Sequence, residues 1–239
     1  MPGSSLWLVP PEDSALYRTC HQLITTHIPS LFFPSTLALS PPPLFTPHVT
    51  LTSDTVSPHI FPEQEQQQSS CSTTSPSPAD PATSAQAWLD SLDLPPPPMT
   101  QEGLKVKIQK AQVEGHFFRK LTLRCEKSPQ LCELAATCRA SRGKEGLAGG
   151  GEQKEAWEWV RKHYAPHLSL MYSDLPEDEV QLKLDEVSSI IFQAQQANPD
   201  SLSTKGGEIW LVPTSKPLAE WQPIAKREIP YGVQWEWQT

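Results

Sequence analysis

The chain has 239 residues, which is enough for one large domain or two small ones, and its formal net charge is −8. That net charge comes from the first 104 residues, which hold one basic residue against nine acidic ones, while residues 105–239 hold 18 of each. This balance argues against a non-specific binder of polyanions. The sequence contains neither a membrane-spanning apolar run nor a secretory signal, and its five cysteines include no C-x-x-C pair. We therefore expect a soluble, intracellular protein without a cysteine-based zinc site.

The first part of the chain predicts a strand, a helix, a loop and a second strand. Residues 5–9 (SLWLV) are apolar and aromatic, and two prolines end the run. Helix-capping residues follow at 12–14, and apolar residues then recur at helical spacing until Pro29, before which the helix is expected to end. After a proline-rich loop, residues 48–52 (HVTLT) alternate between polar and apolar side chains as a strand does.

The same order of elements returns later in the chain. Residues 120–125 (KLTLRC) predict a strand, residues 126–128 offer helix caps, and a helical stripe and a glycine-rich loop follow. Residues 167–170 (HLSL) then predict another strand that begins with a histidine. We interpret this recurrence as an internal duplication, in which each unit contributes one histidine-bearing strand.

The remaining segments complete an α+β chain. Residues 104–113 and 117–123 predict a hairpin, residues 180–197 an amphipathic helix, residues 208–212 a strand, and residues 229–237 an edge or pairing strand. Residues 58–101 form a Pro/Ser/Gln-rich insert that we expect to be largely disordered, with a short helix around residues 85–92. The whole chain is expected to form a single bilobal domain.

Two five-residue motifs carry the chemistry. Residues 47–51 (PHVTL) and 166–170 (PHLSL) share the pattern P-H-aliphatic-(T/S)-L at equivalent places of the duplicated unit. Residues two apart on a strand face the same side, so each strand presents one imidazole and one hydroxyl together. If a pseudo-two-fold axis relates the two units, both pairs converge on one cleft. Hydroxyls can donate to phosphate oxygens, while one imidazole accepts a proton and the other donates one.

Other kinds of site fit the sequence less well. No third histidine and no nearby Asp/Glu pattern completes a metal ligand set, and there is no phosphate-binding G-x-x-x-x-G-K-(S/T) loop. Two alternatives remain open. One is a module that binds a cyclic nucleotide or an RNA end without turning it over, and the other is an RNA-end ligase or exonuclease, which the acidic first part of the chain disfavours.

The motifs resemble those of the two-histidine (2H) phosphoesterase superfamily. More narrowly, WLVPPEDS, PHVTLTSD, LRCEKS and PHLSLMYSDL are similar to segments of the fungal 2′,3′-cyclic-nucleotide 3′-phosphodiesterases. The resemblance implies a bilobal LigT-like fold, with two pseudo-symmetric lobes of antiparallel sheet and helices around a central cleft. It also implies metal-independent hydrolysis, without any cofactor, of nucleoside 2′,3′-cyclic phosphates to 2′-phosphates. ADP-ribose 1″,2″-cyclic phosphate, a by-product of tRNA splicing, is the other substrate it implies.

The resemblance also assigns individual residues. His48 and His167 match the catalytic histidines, Thr50 and Ser169 the phosphate-binding hydroxyls, and Tyr172 a substrate-contacting tyrosine. The family's usual description makes His167 the base and His48 the acid, although the sequence itself does not distinguish these roles. The expected partner is a small-molecule cyclic phosphate, with no polymeric nucleic acid required, and we expect a monomer. Fungal relatives are associated with the Golgi, and a cytoplasmic location is the alternative.

Overall fold

In the part of the chain that the structure describes, nine strands form one sheet. That part comprises residues 3–34, 40–53, 55, 81–95, 103–141 and 150–238 of the computed structural model. The strands are β1 (Ser5–Val9), β2 (Val49–Ser53), β3 (Leu104–Val113), β4 (Leu121–Cys125), β5 (His167–Met171), β6 (Ser203–Lys205), β7 (Glu208–Val212), β8 (Ala225–Glu228) and β9 (Val233–Trp237). Their order across the sheet is β6-β9-β3-β4-β5-β2-β1-β7-β8.

The strand order is symmetric about the centre of the sheet. The antiparallel pair β2 and β5 lies in the middle, with β1 and then β7 outside β2, and β4 and then β3 outside β5. The strands that the predicted duplication equates therefore occupy equivalent places, and the predicted α+β fold with two pseudo-symmetric halves is confirmed. The two halves share one continuous sheet. One detail differs from the expected antiparallel lobes, because the C-terminal β9 runs parallel to β3.

Seven α-helices accompany the sheet within the described residues. They are α1 (Ala15–Gln22), α2 (Ile28–Phe32), α3 (Pro81–Asp90), α4 (Pro129–Ala140), α5 (Gly150–Lys162), α6 (Glu177–Leu182) and α7 (Leu184–Ala197). The predicted caps are present, since the hydroxyls of Ser14 and Ser128 accept hydrogen bonds from the backbone N–H groups of Tyr17 and Leu131. None of these helices is both long and apolar enough to cross a membrane.

The expectation that the first helix ends before Pro29 is wrong. A π-helical turn, Leu23–His27, connects α1 directly to α2, and Pro29 lies in the first turn of α2. Proline lacks an N–H donor and tolerates the first turn of a helix, where that donor would have no partner inside the helix. The wider turn, marked by a bond from the Ile28 N–H to the Leu23 carbonyl, lets the chain continue past the proline.

Two other helices differ from their predictions. The helix predicted over residues 180–197 is divided into α6 and α7 at Lys183, whose backbone leaves the helical conformation. The Lys183 ammonium donates to the Leu31 carbonyl at 2.9 Å and lies over the Phe32 ring, so this residue ties the helix break to α2. Helix α5, which packs on α4, is an addition to the elements predicted from the sequence.

Part of the predicted insert is folded onto the sheet. The helix expected around residues 85–92 is present as α3, which begins at Pro81 and packs on β8. Leu89 is fully buried, and its carbonyl and that of Leu92 accept hydrogen bonds from the Arg227 guanidinium at 2.9 and 2.7 Å. Residues 81–95 thus belong to the fold, whereas the rest of the insert lies outside the described residues.

The two faces of the sheet have different surroundings. Leu6 and Leu8 of β1 lie in the main hydrophobic core, to which α4 and α7 contribute, whereas Trp7 and Val9 belong to a second, smaller cluster. This alternation follows from the period of two along a strand. We call the face that carries Trp7 the open face. The four described cysteines are free and buried, as expected for unreactive thiols.

Candidate active site

The two histidine motifs lie side by side at the centre of the sheet. In the antiparallel pairing of β2 with β5, Val49 lies opposite Leu168. Extending that register by one residue in each direction places each histidine opposite a hydroxyl residue of the other motif. These pairs are His48 with Ser169, and Thr50 with His167. Opposed residues of antiparallel strands share a face, so the two imidazoles and the two hydroxyls lie together on the open face. The structure therefore brings together all four residues that the motifs singled out.

Both histidines are held in the same way. The Nδ1 atom of His48 lies 2.6 Å from the Thr46 carbonyl oxygen, and that of His167 lies 2.8 Å from the Ala165 carbonyl oxygen. A carbonyl can only accept, so Nδ1 carries the hydrogen, and Nε2 of each neutral ring then has a free lone pair. In each case the carbonyl belongs to the residue two positions earlier, so the two predicted repeats share this contact of the ring as well as the motif.

The two hydroxyls have different surroundings. Ser169 is buried and donates to the Phe118 carbonyl at 3.1 Å, whereas Thr50 is half-buried. The Tyr172 phenol makes a side-chain hydrogen bond with Ser169, and its ring stacks on Phe45 with 3.8 Å between the centroids. Burial raises the pKa of Tyr172, so this phenol stays protonated. Since a hydroxyl has one proton, Ser169 must release the Phe118 carbonyl before it can donate to a ligand.

Burial controls the charge of both imidazoles. It lowers the pKa of His48 to about 3, against a smaller opposing effect of the Thr46 carbonyl and with a further lowering by His167. It also lowers the pKa of His167, against an opposing effect of the Ala165 carbonyl, with smaller effects of Arg119, which lowers the pKa, and Glu114, which raises it. Because desolvation disfavours the charged form, both rings are neutral at pH 7 in the unliganded protein.

An aromatic wall lies beside His48. The Trp7 ring stacks on His48 with 3.7 Å between the centroids and 10° between the planes. Trp221 contacts the edge of Trp7 at 5.9 Å and stacks on Phe118 at 5.8 Å. Phe118 also contacts the edge of the Tyr172 ring at 5.4 Å. Such rings exclude water from the His48 imidazole and offer flat apolar surfaces to a planar ligand.

The motifs do not identify the tryptophan and phenylalanine residues of this wall. Trp7 is on β1, and its place between Leu6 and Leu8 in an alternating strand indicates that it faces away from the core, which is a usable signal. Phe118 and Trp221 lie in a turn before β4 and in the loop after β7, where no periodicity marks them. Their contacts with the site depend on how distant loops meet, and a single sequence does not encode that in any local pattern.

One further hydroxyl lies beside the site. Thr122 of β4 is opposite Ser169, is fully buried, and its hydroxyl has no hydrogen-bond partner among the described residues. An unpaired buried hydroxyl costs stability, so Thr122→Val, which keeps the shape of the side chain, is expected to raise the free energy of unfolding by about 1 kcal/mol. Urea denaturation of the two proteins measures this difference.

The matched control is Thr52→Val. Thr52 is also buried, but its hydroxyl accepts a hydrogen bond from the Arg139 guanidinium at 3.3 Å. The same substitution there is expected to lower the free energy of unfolding by about 1 kcal/mol, because it removes an acceptor from that guanidinium. Equal destabilisation by the two substitutions would show that the Thr122 hydroxyl makes an interaction that its surroundings do not reveal.

The described residues include no group of three or more His, Cys, Asp or Glu side chains that could hold a metal ion. Asp174, the acidic residue at the end of the second motif, follows β5 and lines a cavity with Tyr172 and Phe117. Its counterpart in the first motif, Asp54, lies outside the described residues.

Comparison with known proteins identifies the family of this chain. Residues 1–229 match the model of the family described as "Cyclic phosphodiesterase-like protein", a range that contains both histidine motifs. The chain belongs to this family. It is 34% identical to a Neurospora crassa protein named 2′,3′-cyclic-nucleotide 3′-phosphodiesterase, over 95% of this chain and 99% of the relative. A Phaeosphaeria nodorum protein of the same name is also 34% identical, over 96% of this chain and 100% of the relative.

A more distant relative from Yarrowia lipolytica has the same name and is 26% identical, over 95% of this chain and 99% of the relative. Because these alignments cover nearly all of each protein, the family assignment applies to both halves of the sheet and to the site between them. The resemblance to the fungal cyclic phosphodiesterases that the two motifs indicated is confirmed by the family model and by these relatives.

Proposed function

We propose that this family member hydrolyses nucleoside 2′,3′-cyclic phosphates to nucleoside 2′-phosphates with His48 and His167 as its acid–base pair. The observation that carries the proposal is the arrangement of two imidazoles on adjacent antiparallel strands, each with Nδ1 bonded to a backbone carbonyl. Their Nε2 atoms are then free for proton transfer on both sides of one phosphate. The names of the fungal relatives support the same substrate class.

The reaction that fits this geometry is in-line attack of water on the cyclic phosphate. One neutral imidazole accepts a proton as the water oxygen bonds to phosphorus, and the other, protonated, donates to the 3′ oxygen as its bond to phosphorus breaks. The 2′ oxygen keeps the phosphate. Thr50 and Ser169 are proposed to donate to the non-bridging oxygens, where negative charge develops. The assignment of His167 as the base and His48 as the acid is taken from the family resemblance of the motifs.

We extend the proposal to ADP-ribose 1″,2″-cyclic phosphate, which contains the same five-membered cyclic phosphodiester and would be opened to the 1″-phosphate. The support for this substrate, and for a role in the metabolism of tRNA-splicing by-products, is the family resemblance of the motifs. Competition between this compound and adenosine 2′,3′-cyclic phosphate for hydrolysis would measure the preference directly.

Phosphorus NMR of the product formed from adenosine 2′,3′-cyclic phosphate tests the proposed reaction. We expect adenosine 2′-phosphate, formed at the same rate with and without a metal chelator. Formation of the 3′-phosphate would contradict the assignment of the leaving oxygen, and loss of activity with the chelator would contradict a metal-independent mechanism. Binding of the cyclic nucleotide without any product would instead favour the alternative of a non-catalytic binding module.

The lowered imidazole pKa values predict an unusual pH dependence. The reactive form needs one protonated and one neutral imidazole, and kcat/KM reports the ionisation of the free enzyme. Since burial lowers both values below 6.5, this form becomes scarcer as the pH rises through neutrality, and kcat/KM is expected to fall about tenfold per pH unit there. A bound phosphate anion raises both pKa values, so the profile of kcat should lie at higher pH.

Steady-state kinetics of adenosine 2′,3′-cyclic phosphate hydrolysis between about pH 4 and pH 9 give both profiles. The prediction is contradicted if the bell-shaped profile of kcat/KM is centred above pH 7, or if the profiles of kcat and kcat/KM coincide. Such results would mean that the imidazoles are not desolvated in the free enzyme.

A further inference from the structure

A second cationic position adjoins His167 on the open face. Arg124 of β4 lies directly opposite His167 in the antiparallel pairing of β4 with β5. Opposed side chains share a face, with about 5 Å between their Cβ atoms, so Arg124 extends from the same surface as the imidazole. Its side chain is exposed. An arginine is therefore accessible to a ligand bound at the two histidines.

A β-bulge adds a lysine to this position. Ile108 pairs with Cys125, and Ala111 pairs with Leu123, which leaves two residues of β3 opposite the single residue Arg124. Those two residues are Gln109 and Lys110, and Lys110 is exposed. Bulges change the direction of side chains and are common next to active sites. Here the bulge puts a second cation beside Arg124, on the side away from His167.

The neighbouring cations are already neutralised, whereas these two are not. Lys107 is 3.1 Å from the Glu126 carboxylate, and Arg119 is 2.7 Å from that of Glu114. Across the residues that the structure describes, neither Arg124 nor Lys110 forms an ion pair with a carboxylate. The equivalent open face of the other half instead carries Trp7 and Trp210, which face each other across β1 and β7. On that side the Lys226 ammonium lies over the Trp210 ring and is paired with Glu12 at 3.1 Å, so, unlike Arg124 and Lys110, it is already neutralised.

The position of Arg124 separates it from the phosphate that reacts. The two histidines flank the boundary between β2 and β5, while Arg124 lies on β4, one strand farther out. Neighbouring strands are about 4.8 Å apart, so Arg124 is well displaced from the midline of the site. A guanidinium binds phosphate oxygens in a bidentate manner, and an exposed, unpaired one beside a nucleotide site is suited to another phosphate of the same substrate.

We propose that Arg124 and Lys110 form a second anion subsite, which binds a phosphate group attached at the 5′ side of the cyclic nucleotide. This inference rests on the proposed function. It predicts that the enzyme prefers 2′,3′-cyclic nucleotides with a 5′-linked phosphate over the corresponding nucleosides. The phosphate can come from a 5′-phosphomonoester or from the phosphodiester that joins the last two nucleotides of an RNA chain, and the test distinguishes these sources.

The test compares kcat/KM for three substrates. They are adenosine 2′,3′-cyclic phosphate, its 5′-phosphorylated form, and the dinucleotide ApA that ends in a 2′,3′-cyclic phosphate. For the wild-type chain we expect the 5′-phosphorylated form to be preferred over the nucleoside. Arg124→Gln should lower that preference about tenfold, in line with the loss of a charge-assisted hydrogen bond, and Lys110→Gln should lower it less. Arg161→Gln, which changes an exposed arginine on the helix α5, is the matched control and should change nothing.

If the dinucleotide is also preferred over the nucleoside cyclic phosphate, the subsite binds the phosphodiester of an RNA end. If only the 5′-phosphorylated form is preferred, the subsite binds a terminal phosphate. The inference is overturned if Arg124→Gln lowers kcat/KM for all three substrates equally, because Arg124 would then contact the reacting phosphate. It is also overturned if the wild-type chain shows no preference.

If the proposed function itself is wrong, the wild-type chain hydrolyses none of the three substrates. The subsite is then tested by calorimetry with adenosine 2′,5′-bisphosphate and adenosine 2′-phosphate. Tighter binding of the bisphosphate that Arg124→Gln abolishes supports the subsite, and equal affinities overturn it.

Discussion

Replacing His48 or His167 by asparagine is expected to lower kcat/KM for adenosine 2′,3′-cyclic phosphate by about two to four orders of magnitude. Asparagine can still donate to the backbone carbonyl that each Nδ1 contacts, but it cannot accept or deliver a proton at the position of Nε2. Initial rates over a range of substrate concentrations measure the loss. Melting temperatures show whether the variants remain folded.

Two further variants serve as a control and as a test of whether the histidines act together. His163→Asn removes an exposed histidine that lies just after α5, and it should retain full activity. The double variant His48→Asn, His167→Asn should be little worse than either single variant, because residues that act as a unit are strongly non-additive. Substantial hydrolysis by the double variant would contradict the assignment of these histidines as the acid and the base.

Trp7→Ala is expected to lower the free energy of unfolding by about 3 to 5 kcal/mol. The Trp7 side chain is only 2% exposed, packs with Val9, Trp210 and Val212, and covers one face of the His48 ring. Removing it leaves a cavity in a small cluster that has few other side chains to fill the space. It also admits water to the imidazole, so the pKa of His48 should rise toward 6.5. Urea denaturation and NMR titration of the histidine ring measure the two effects.

The control for this prediction is Trp221→Ala. Trp221 is also an aromatic residue of the site, but it is half-buried and lies in a loop, so its loss should cost clearly less stability than that of Trp7. Trp7→Phe, which keeps much of the apolar surface, should fall between the two. If Trp7→Ala costs less than about 1 kcal/mol, then the small cluster on the open face does not support the fold as described.

The sequence was sufficient to predict the helices and strands in which apolar residues recur with a clear period. The alternation of residues 48–52 and 167–170 predicted β2 and β5, and Ser14 and Ser128 identified the starts of α1 and α4. The repeated order of these elements predicted two related halves. Because a strand presents every second residue on one face, the same pattern also predicted which motif residues would lie together.

Other features depend on contacts between distant segments. The π-helical turn at Leu23–His27 absorbs Pro29, and the break at Lys183 is tied to α2, so neither follows from local helix rules alone. The parallel direction of β9 depends on where the C-terminal segment meets β3. The hydrogen bond from Ser169 to Phe118 likewise joins two elements that are separated in the sequence. The monomeric state, the Golgi or cytoplasmic location and the disorder of the 58–101 insert outside residues 81–95 stay predictions.

The continuity of the sheet between β2 and β5 limits how the enzyme can move. The two histidine-bearing strands are joined by main-chain pairing rather than by a linker, so the halves cannot rotate apart without breaking that pairing. The spacing of the two imidazoles therefore depends on this short pairing at the middle of the sheet. Trp221, in the loop after β7, reaches across from one half to stack on Phe118 of the other, so this side chain adds a second connection between the halves.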